Sequence, residues 1–253
     1  GATTIDVAAD KFTDAGGNNN TAATQFNWTY DGTAPTITNI TSSTANGIFT
    51  TGDEISIQVT LSESVTVVGT PTLTLETGSS DTNATYSSGS GSDTLTFNYT
   101  VLSTDNNCDL DYSSTSSLSV SGSSSIKDSV GNNATLTLAS PGATGSLGAN
   151  KALVVDNTAP SINIQNVTVN VGSGEVTLSA SDFDNGTSDA CDSSLTYQIT
   201  SGTFNCSDVG TTQSGLIRVT DDAGNYSEAV YTVTVVDTTA PVITLVESNT
   251  VEI

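Results

Sequence analysis

Apolar residues in this chain recur mostly at every second position. Ile55, Ile57, Val59 and Leu61 alternate with polar residues, as do Leu95, Phe97, Tyr99 and Val101. That period belongs to β-strands with one buried and one solvated face. Shorter runs of the same character cover 72–75, 135–138 and 152–155. Further along come Val167, Val169 and Val171, then Val176 and Leu178, then Leu216, Ile217 and Val219, and a last run over 229–236. Loops such as 87–92, built only of Ser and Gly, separate the runs. No stretch keeps a helical period over three turns. Roughly seven short strands with turn signals between them predict an all-β chain of Ig-like β-sandwich type.

A boundary motif recurs three times: Asp31-Gly-Thr-Ala-Pro35, Asp156-Asn-Thr-Ala-Pro160 and Asp237-Thr-Thr-Ala-Pro241. Each follows one strand-like run and precedes another, at 36–40, 161–164 and 242–245. Proline fixes φ and holds the preceding residue extended, which suits a short stiff linker. The intervals are the size of one sandwich domain, and repetition in register indicates tandem modules in an extended array. The modules are the C-terminal part of one at 1–34, complete ones at 35–158 and 159–238, and the first strand of another at 239–253. A second element precedes each boundary: Asp14-Ala-Gly-Gly-Asn18, Asp128-Ser-Val-Gly-Asn132 and Asp222-Ala-Gly-Asn225. An acid followed by Gly-Asn marks a tight turn, since both residues tolerate positive φ. Neither end piece can bury a core alone. The chain is then either a window on a longer protein or a subunit whose end pieces pair with neighbours.

Charge narrows the class. Twenty-seven acidic residues face four basic ones, a net charge of -23. Repulsion from phosphate argues against nucleic acid, and no run approaches the ~20 apolar residues of a membrane helix. Charged residues are only 12% and hydrophobic residues 35% of the chain, which favours folded β structure over an acidic disordered tail. The first ten residues lack the basic start and apolar stretch of a signal peptide. With no His, neither a Ser-His-Asp nor a Cys-His arrangement is possible, zinc sites lack their ligand sets, and no glycine-rich phosphate loop is present. No enzymatic role is expected. Of three cysteines, Cys191 and Cys206 fall in one module and flank the run 195–199, so a bridge between them is expected. Closing a loop of that size contributes about 3 kcal/mol. Cys108 is then left free or bonded to another chain.

Calcium is the cofactor that the composition favours, because it takes six to eight oxygen ligands from the loop Asp, Asn and carbonyl groups abundant here. The linker acids Asp31, Asp156 and Asp237 sit where modules meet. A turn acid of the preceding module (Asp14, Asp128 or Asp222) and an acid of the next (Asp53, Glu54 or Glu63) are expected to converge on them. A shared cation there would remove hinge freedom and neutralise local charge. The cluster from Asp182 to Asp189 has its Gly at position five and no Glu at twelve, so it is not an EF-hand. The segment from Asp105 to Asp111 is similar.

Several of these motifs resemble known proteins. The boundary at Asp31, followed by Gly52-Asp-Glu-Ile55 and Leu61-Ser-Glu-Ser-Val65, resembles bacterial Ig-like repeats of large surface adhesins, as does 145–153 leading into Asp156. The segment from 159 resembles hyalin-repeat-like domains of surface proteins in gliding Bacteroidetes, on Asp189-Ala-Cys191, Phe204-Asn-Cys206, Asp208-Val-Gly210 and the closing 235–241. The resemblance implies an extracellular, cell-surface stalk, stiffened by calcium, that holds a distal domain towards a host or environmental glycan. It also implies O-glycans at Thr94, Ser129 and Thr238, each following an Asp. Two alternatives stand beside the stalk. One is a fibre subunit polymerising by strand complementation between its incomplete ends. The other is a glycan- or ice-binding module, hinted at by Thr72 and Thr74 on one strand face.

Overall fold

The computed structural model describes residues 2–243, and the chain is all-β apart from one short helix and two 3-10 turns. The first two strands, β1 (Ala2–Ile5) and β2 (Phe26–Thr29), pair antiparallel as an isolated two-stranded sheet. Ile5, Phe26, Trp28 and Tyr30 remain exposed on this segment.

The next segment is organised around one long strand. Its elements are β3 (Ile37–Ser42), β4 (Gly47–Phe49), β5 (Glu54–Val68), β6 (Thr72–Glu76), β7 (Thr82–Ser88), β8 (Ser92–Thr100), β9 (Asp111–Tyr112), β10 (Leu118–Ser119) and β11 (Ser125–Lys127). The helix α1 (Leu147–Asn150), capped by Ser146, and β12 (Leu153–Val155) follow. The main sheet runs β10-β6-β7-β8-β5-β11, with β3 also on β5 and β9 on β6, while β12 lies parallel to β4. β5 pairs β3 and β8 in its first half and β11 at its end, with a register break between Thr60 and Val65. Such irregularities bend a strand and increase its twist, so one sheet curls over its own core. Ile55, Ile57, Val59, Leu61 and Val65 are all buried, so the inward phase continues through the break.

The last segment contains β13 (Val167–Asn170), β14 (Glu175–Thr177), β15 (Thr196–Ile199), β16 (Thr203–Asn205), β17 (Thr212–Thr220) and β18 (Tyr226–Val236). One sheet has the order β13-β18-β17-β15, with β13 parallel to β18, and β14 pairs β16 in a second. Ile217 and Val219 point inward, while Arg218 points outward to Glu228 at 2.7 Å and lies over the Tyr226 ring. Gly215 faces Tyr231 across the β17–β18 pair, where a Cβ would collide with the tyrosine ring.

Buried hydrophobic residues form two clusters. One runs from Ile40 to Val155 and the other from Val169 to Val235, on either side of Pro160. No described residue before Pro35 enters either.

Three expected strands are not continuous ladders. In 134–138, the amides of Ala134, Thr135 and Leu138 bond to Ile126, Pro35 and Thr115, three separate segments, so only an isolated bridge forms. The run 161–164 makes single bridges to Ser188 and Asp184. Val242 and Ile243 are exposed and not in a strand, and the remainder of 242–245 lies outside the described residues.

The cysteine pairing differs from expectation. Cys191 bonds to Cys108, with Cα atoms 4.8 Å apart, and Cys206 is exposed and free. The loop carrying Cys191 folds back against the loop 105–111, whereas Cys206 opens a 3-10 turn with its Sγ towards the Gly172 carbonyl. A disulfide needs its Cα atoms within about 7 Å, so tertiary contact and not nearness in sequence decides the partner.

If the two clusters are separate cores, Phe97→Ala should cost the first about 3–5 kcal/mol. Hydrogen exchange should then show β5 and β8 losing protection while β17 and β18 keep theirs; equal loss in both would mean a single cooperative unit.

Candidate metal centre

The same turn is built three times. Its first residue is Asp14, Asp128 or Asp221, and its fifth is Asn18, Asn132 or Asn225. In each, the Asp amide donates to the Asn carbonyl, and the Asn amide donates back to the Asp carboxylate. The Asn side-chain amide closes onto the same carboxylate. Gly17, Gly131 and Gly224 occupy the fourth position at φ of 80°, 104° and 91°, where an L side chain would be strained.

The linkers also share one local geometry. The Asp31, Asp156 and Asp237 carboxylates accept from the amides of Thr33, Thr158 and Thr239 at 3.0, 3.0 and 2.8 Å. Turn and linker then meet at two boundaries. Asn132 Nδ2 donates to the Asp31 and Thr33 carbonyls at 3.2 Å, and Asn225 Nδ2 donates to the Asp156 carbonyl at 3.3 Å. Pro35 and Pro160 are buried beside these contacts, while Pro241 is exposed.

Two carboxylate triads result: Asp31 with Glu63 and Asp128, and Asp156 with Asp189 and Asp221. In each, one oxygen per residue lies within 4.8 Å of the others. That spread is within twice a calcium–oxygen bond of about 2.3–2.6 Å, and an all-oxygen donor set suits a hard divalent cation. The first triad is open on one side, since Asp31 is exposed. The second is deeper, with Asp156 2% and Asp221 6% exposed. Asp189 Oδ1 is held by the amides of Cys191 and Asp192, whereas Asp189 Oδ2 is shielded from solvent and lacks a hydrogen-bond partner. The one ion pair among the described residues is Arg218–Glu228, so neither triad is neutralised by a base. Ionised carboxylates at such separations repel by roughly 3 kcal/mol per pair at an effective dielectric near 20.

The electrostatics of the two buried acids differ in sign. Burial pushes the Asp156 carboxyl above its ordinary range; the Thr158 amide opposes this, and the charges of Asp189, Asp221 and Asp192 add to it. Burial also acts to raise Asp128, but the Asn132 side chain and the amides of Asn132, Val130 and Gly131 outweigh it and hold Asp128 low.

Of the expected ligands, Asp31, Asp128, Asp156 and Glu63 join a triad. Asp128 does so at the boundary that precedes its own core: the turn acid comes from the following segment, folded back onto the linker, and not from the preceding one. Asp14 therefore closes only its own exposed turn. Asp53 accepts from Thr50, Glu54 accepts from Asn98, and Asp237 engages Thr239, all exposed and outside any such cluster among the described residues. In the second triad Asp221 stands where its neighbour Asp222 was expected, and Asp189 was not among the expected residues. Strand phase would have identified Asp221, because Ile217, Val219 and Asp221 share the inward face, as do Ile126 and Asp128. Glu63 likewise stands in phase with Leu61 and Val65. Asp189 carries no comparable local signal.

The other expected sites lie at or near the surface. Thr94 Oγ1 donates to Asp93, Ser129 is exposed, and Thr238 accepts from Asn170. Thr72 and Thr74 engage Ser119 and Asn83 across neighbouring strands. No helix among the described residues is long and apolar enough to cross a membrane.

No protein-family model matches the chain, and no curated protein matches it. Among solved structures, dimeric latent PorU from Porphyromonas gingivalis is similar over 82% of this chain and 24% of its own, at 12% identity and a TM-score of 0.16. A likeness of that degree bears on neither fold nor function.

A raised carboxyl means that the folded chain binds that proton more tightly than the unfolded one. Without a cation, the Asp156 contribution to stability should therefore grow as pH falls through its raised value towards 3.8. Asp128 acts oppositely: its stabilisation is present above 3.8 and lost as pH falls through its lowered value. In chelator at pH 7, Asp156→Asn should melt above the native chain, the gap closing as pH approaches 3.8. A variant that melts lower would contradict this.

Proposed function

We propose that this chain is a structural stalk segment of a large extracellular bacterial adhesin or surface filament, built of tandem Ig-like modules and stiffened by calcium at their junctions. The observation that carries the reading is the repetition of one construction: a linker Asp, an acid of the following segment and that segment's Asp-x-x-Gly-Asn turn, at Asp31 and again at Asp156. Charge brought together twice in the same way, without a base to balance it, is what a cation-bridged joint requires. Asp31, Glu63 and Asp128 would hold one ion, and Asp156, Asp189 and Asp221 another. Backbone carbonyls and water would complete the six to eight oxygens. The bound ion would neutralise the acids and tie linker to core, which removes bending freedom. The disulfide suits an oxidising, extracellular compartment. No enzymatic role is included, since the chain contains no His and its acids are spent on turns and joints.

A second reading is favoured by the exposed apolar groups of β1 and β2 together with Val242 and Ile243, which are 90% and 84% exposed. Strand complementation between copies would cover them and make the chain a fibre subunit. The mass of the native species separates the two: a ladder of high-mass polymers supports the fibre, a single monomeric mass the stalk.

The stalk reading predicts that calcium at about a hundred times its dissociation constant stabilises the chain by about 2.7 kcal/mol per site. For a protein of this size that raises the melting temperature by roughly 5–10 °C. An identical melt in chelator and in calcium would end the calcium assignment.

A further inference from the structure

A disulfide crosses the boundary beside the second triad, and among the described residues none lies beside the first. Cys108 follows Asn107, whose amide and carbonyl both pair with Val155 at 2.8 Å, and Val155 directly precedes Asp156. On the other side of Pro160, the Cys191 amide holds Asp189 Oδ1 at 2.8 Å. The disulfide therefore joins the loop that is hydrogen-bonded to the Asp156 strand to the loop that delivers Asp189. Asn106 reinforces the joint: its Oδ1 accepts from the Asn157 amide at 3.2 Å, and its Nδ2 lies 3.8 Å from Cys191 Sγ. Asn157 is in turn anchored to the Leu102 and Asp105 carbonyls and to Thr51. The third acid, Asp221, belongs to a turn whose Asn225 grips the Asp156 carbonyl. At the first boundary the linker is held by hydrogen bonds, from Asn132 to the Asp31 and Thr33 carbonyls and from the Thr135 amide to the Pro35 carbonyl, with no disulfide beside it among the described residues, and Asp31 is exposed.

We propose that the Cys108–Cys191 disulfide is a clamp that preorganises the Asp156–Asp189–Asp221 triad for a divalent cation, so that the two triads bind with unequal affinity and only the second depends on thiol redox state. This rests on the cation reading above and goes further in naming what controls one of the sites. The physical basis is that three like charges separate when nothing restrains them. A protein that must gather its ligands at the moment of binding spends part of the interaction on doing so, and a clamp already in place removes that cost. The clamp also joins segments that flank different cores, so opening it frees the Asp189 loop from the Asp156 strand. Groups that position metal ligands commonly change affinity by about 10–100-fold when removed. A loss of at least about tenfold is expected here.

The test is calorimetric titration of Ca2+ into the chelator-treated full chain, with Cys206 alkylated beforehand to prevent exchange. Two binding events of unequal affinity are expected, the tighter removed by Asp189→Asn and the weaker by Asp128→Asn. In Cys108→Ser/Cys191→Ser the tighter event should weaken at least about tenfold while the weaker stays unchanged. Should that variant not fold, reciprocity allows the measurement on the native bond. A small dithiol, oxidised to its cyclic disulfide as the protein bond opens to two thiols, is equilibrated with the chain with and without saturating Ca2+. Linkage requires the cation to resist reduction by the same factor, about 30 mV for tenfold. Unchanged affinity in the serine variant, equal weakening of both events, or no effect of Ca2+ on reduction would overturn the clamp while leaving the cation sites in place. A titration with no binding at all would sink the cation reading and the clamp together.

Discussion

Like charge gathered at a boundary between two hydrophobic cores is the constraint on which this structure turns. At the second boundary three carboxylates share one small volume, two of them nearly inaccessible and one with an oxygen that nothing satisfies. Such an arrangement costs free energy in isolation. It persists because the surrounding covalent and hydrogen-bonded structure leaves the acids nowhere else to go. The disulfide, the Asn225 hook and the Asn157 anchors each remove one route of escape.

The Asp-x-x-Gly-Asn turn links local backbone chemistry to this longer-range organisation. Its Asp saturates one carboxylate oxygen with amides of its own turn, which fixes where the carboxylate points. In two of the three turns the Asn, Asn132 or Asn225, bonds to the turn and to the linker backbone with the same side-chain amide. A five-residue element thus performs two tasks: it ends one strand, and it seats the preceding linker on the core. Proline completes the seat at Pro35 and Pro160 by packing where no amide is needed.

Much of the fold is legible in the pattern of apolar residues. Period-two runs located β3, β5, β6, β8, β12, β13, β14, β15, β17 and β18, because a half-buried strand must alternate. The short strands β4, β9, β10, β11 and β16 escaped notice, since two or three residues are too few to show a period; β1 and the seven-residue β7 were also not foreseen, and β7 buries only Ala84 fully. Thr135–Leu138 alternates yet forms no ladder, because its amides go to three different segments. Alternation reports which residues are buried; it does not report whether one continuous partner lies alongside.

The chain by itself determined the β character, the repeated Asp-x-Thr-Ala-Pro motif, the thrice-built turn and a charge balance in which bases cannot neutralise the acids. These are properties of composition and of contacts within about five residues, which any chain of this sequence carries. Tertiary structure alone decided which acids meet. The turn at Asp128 folds back to Asp31 instead of on to Asp156, Asp189 arrives from an acidic loop whose sequence does not say which boundary it meets, and Cys191 finds Cys108 instead of the nearer Cys206. Each of those choices depends on how distant segments approach one another, and the closing of long loops around a core is not written in any short stretch of residues.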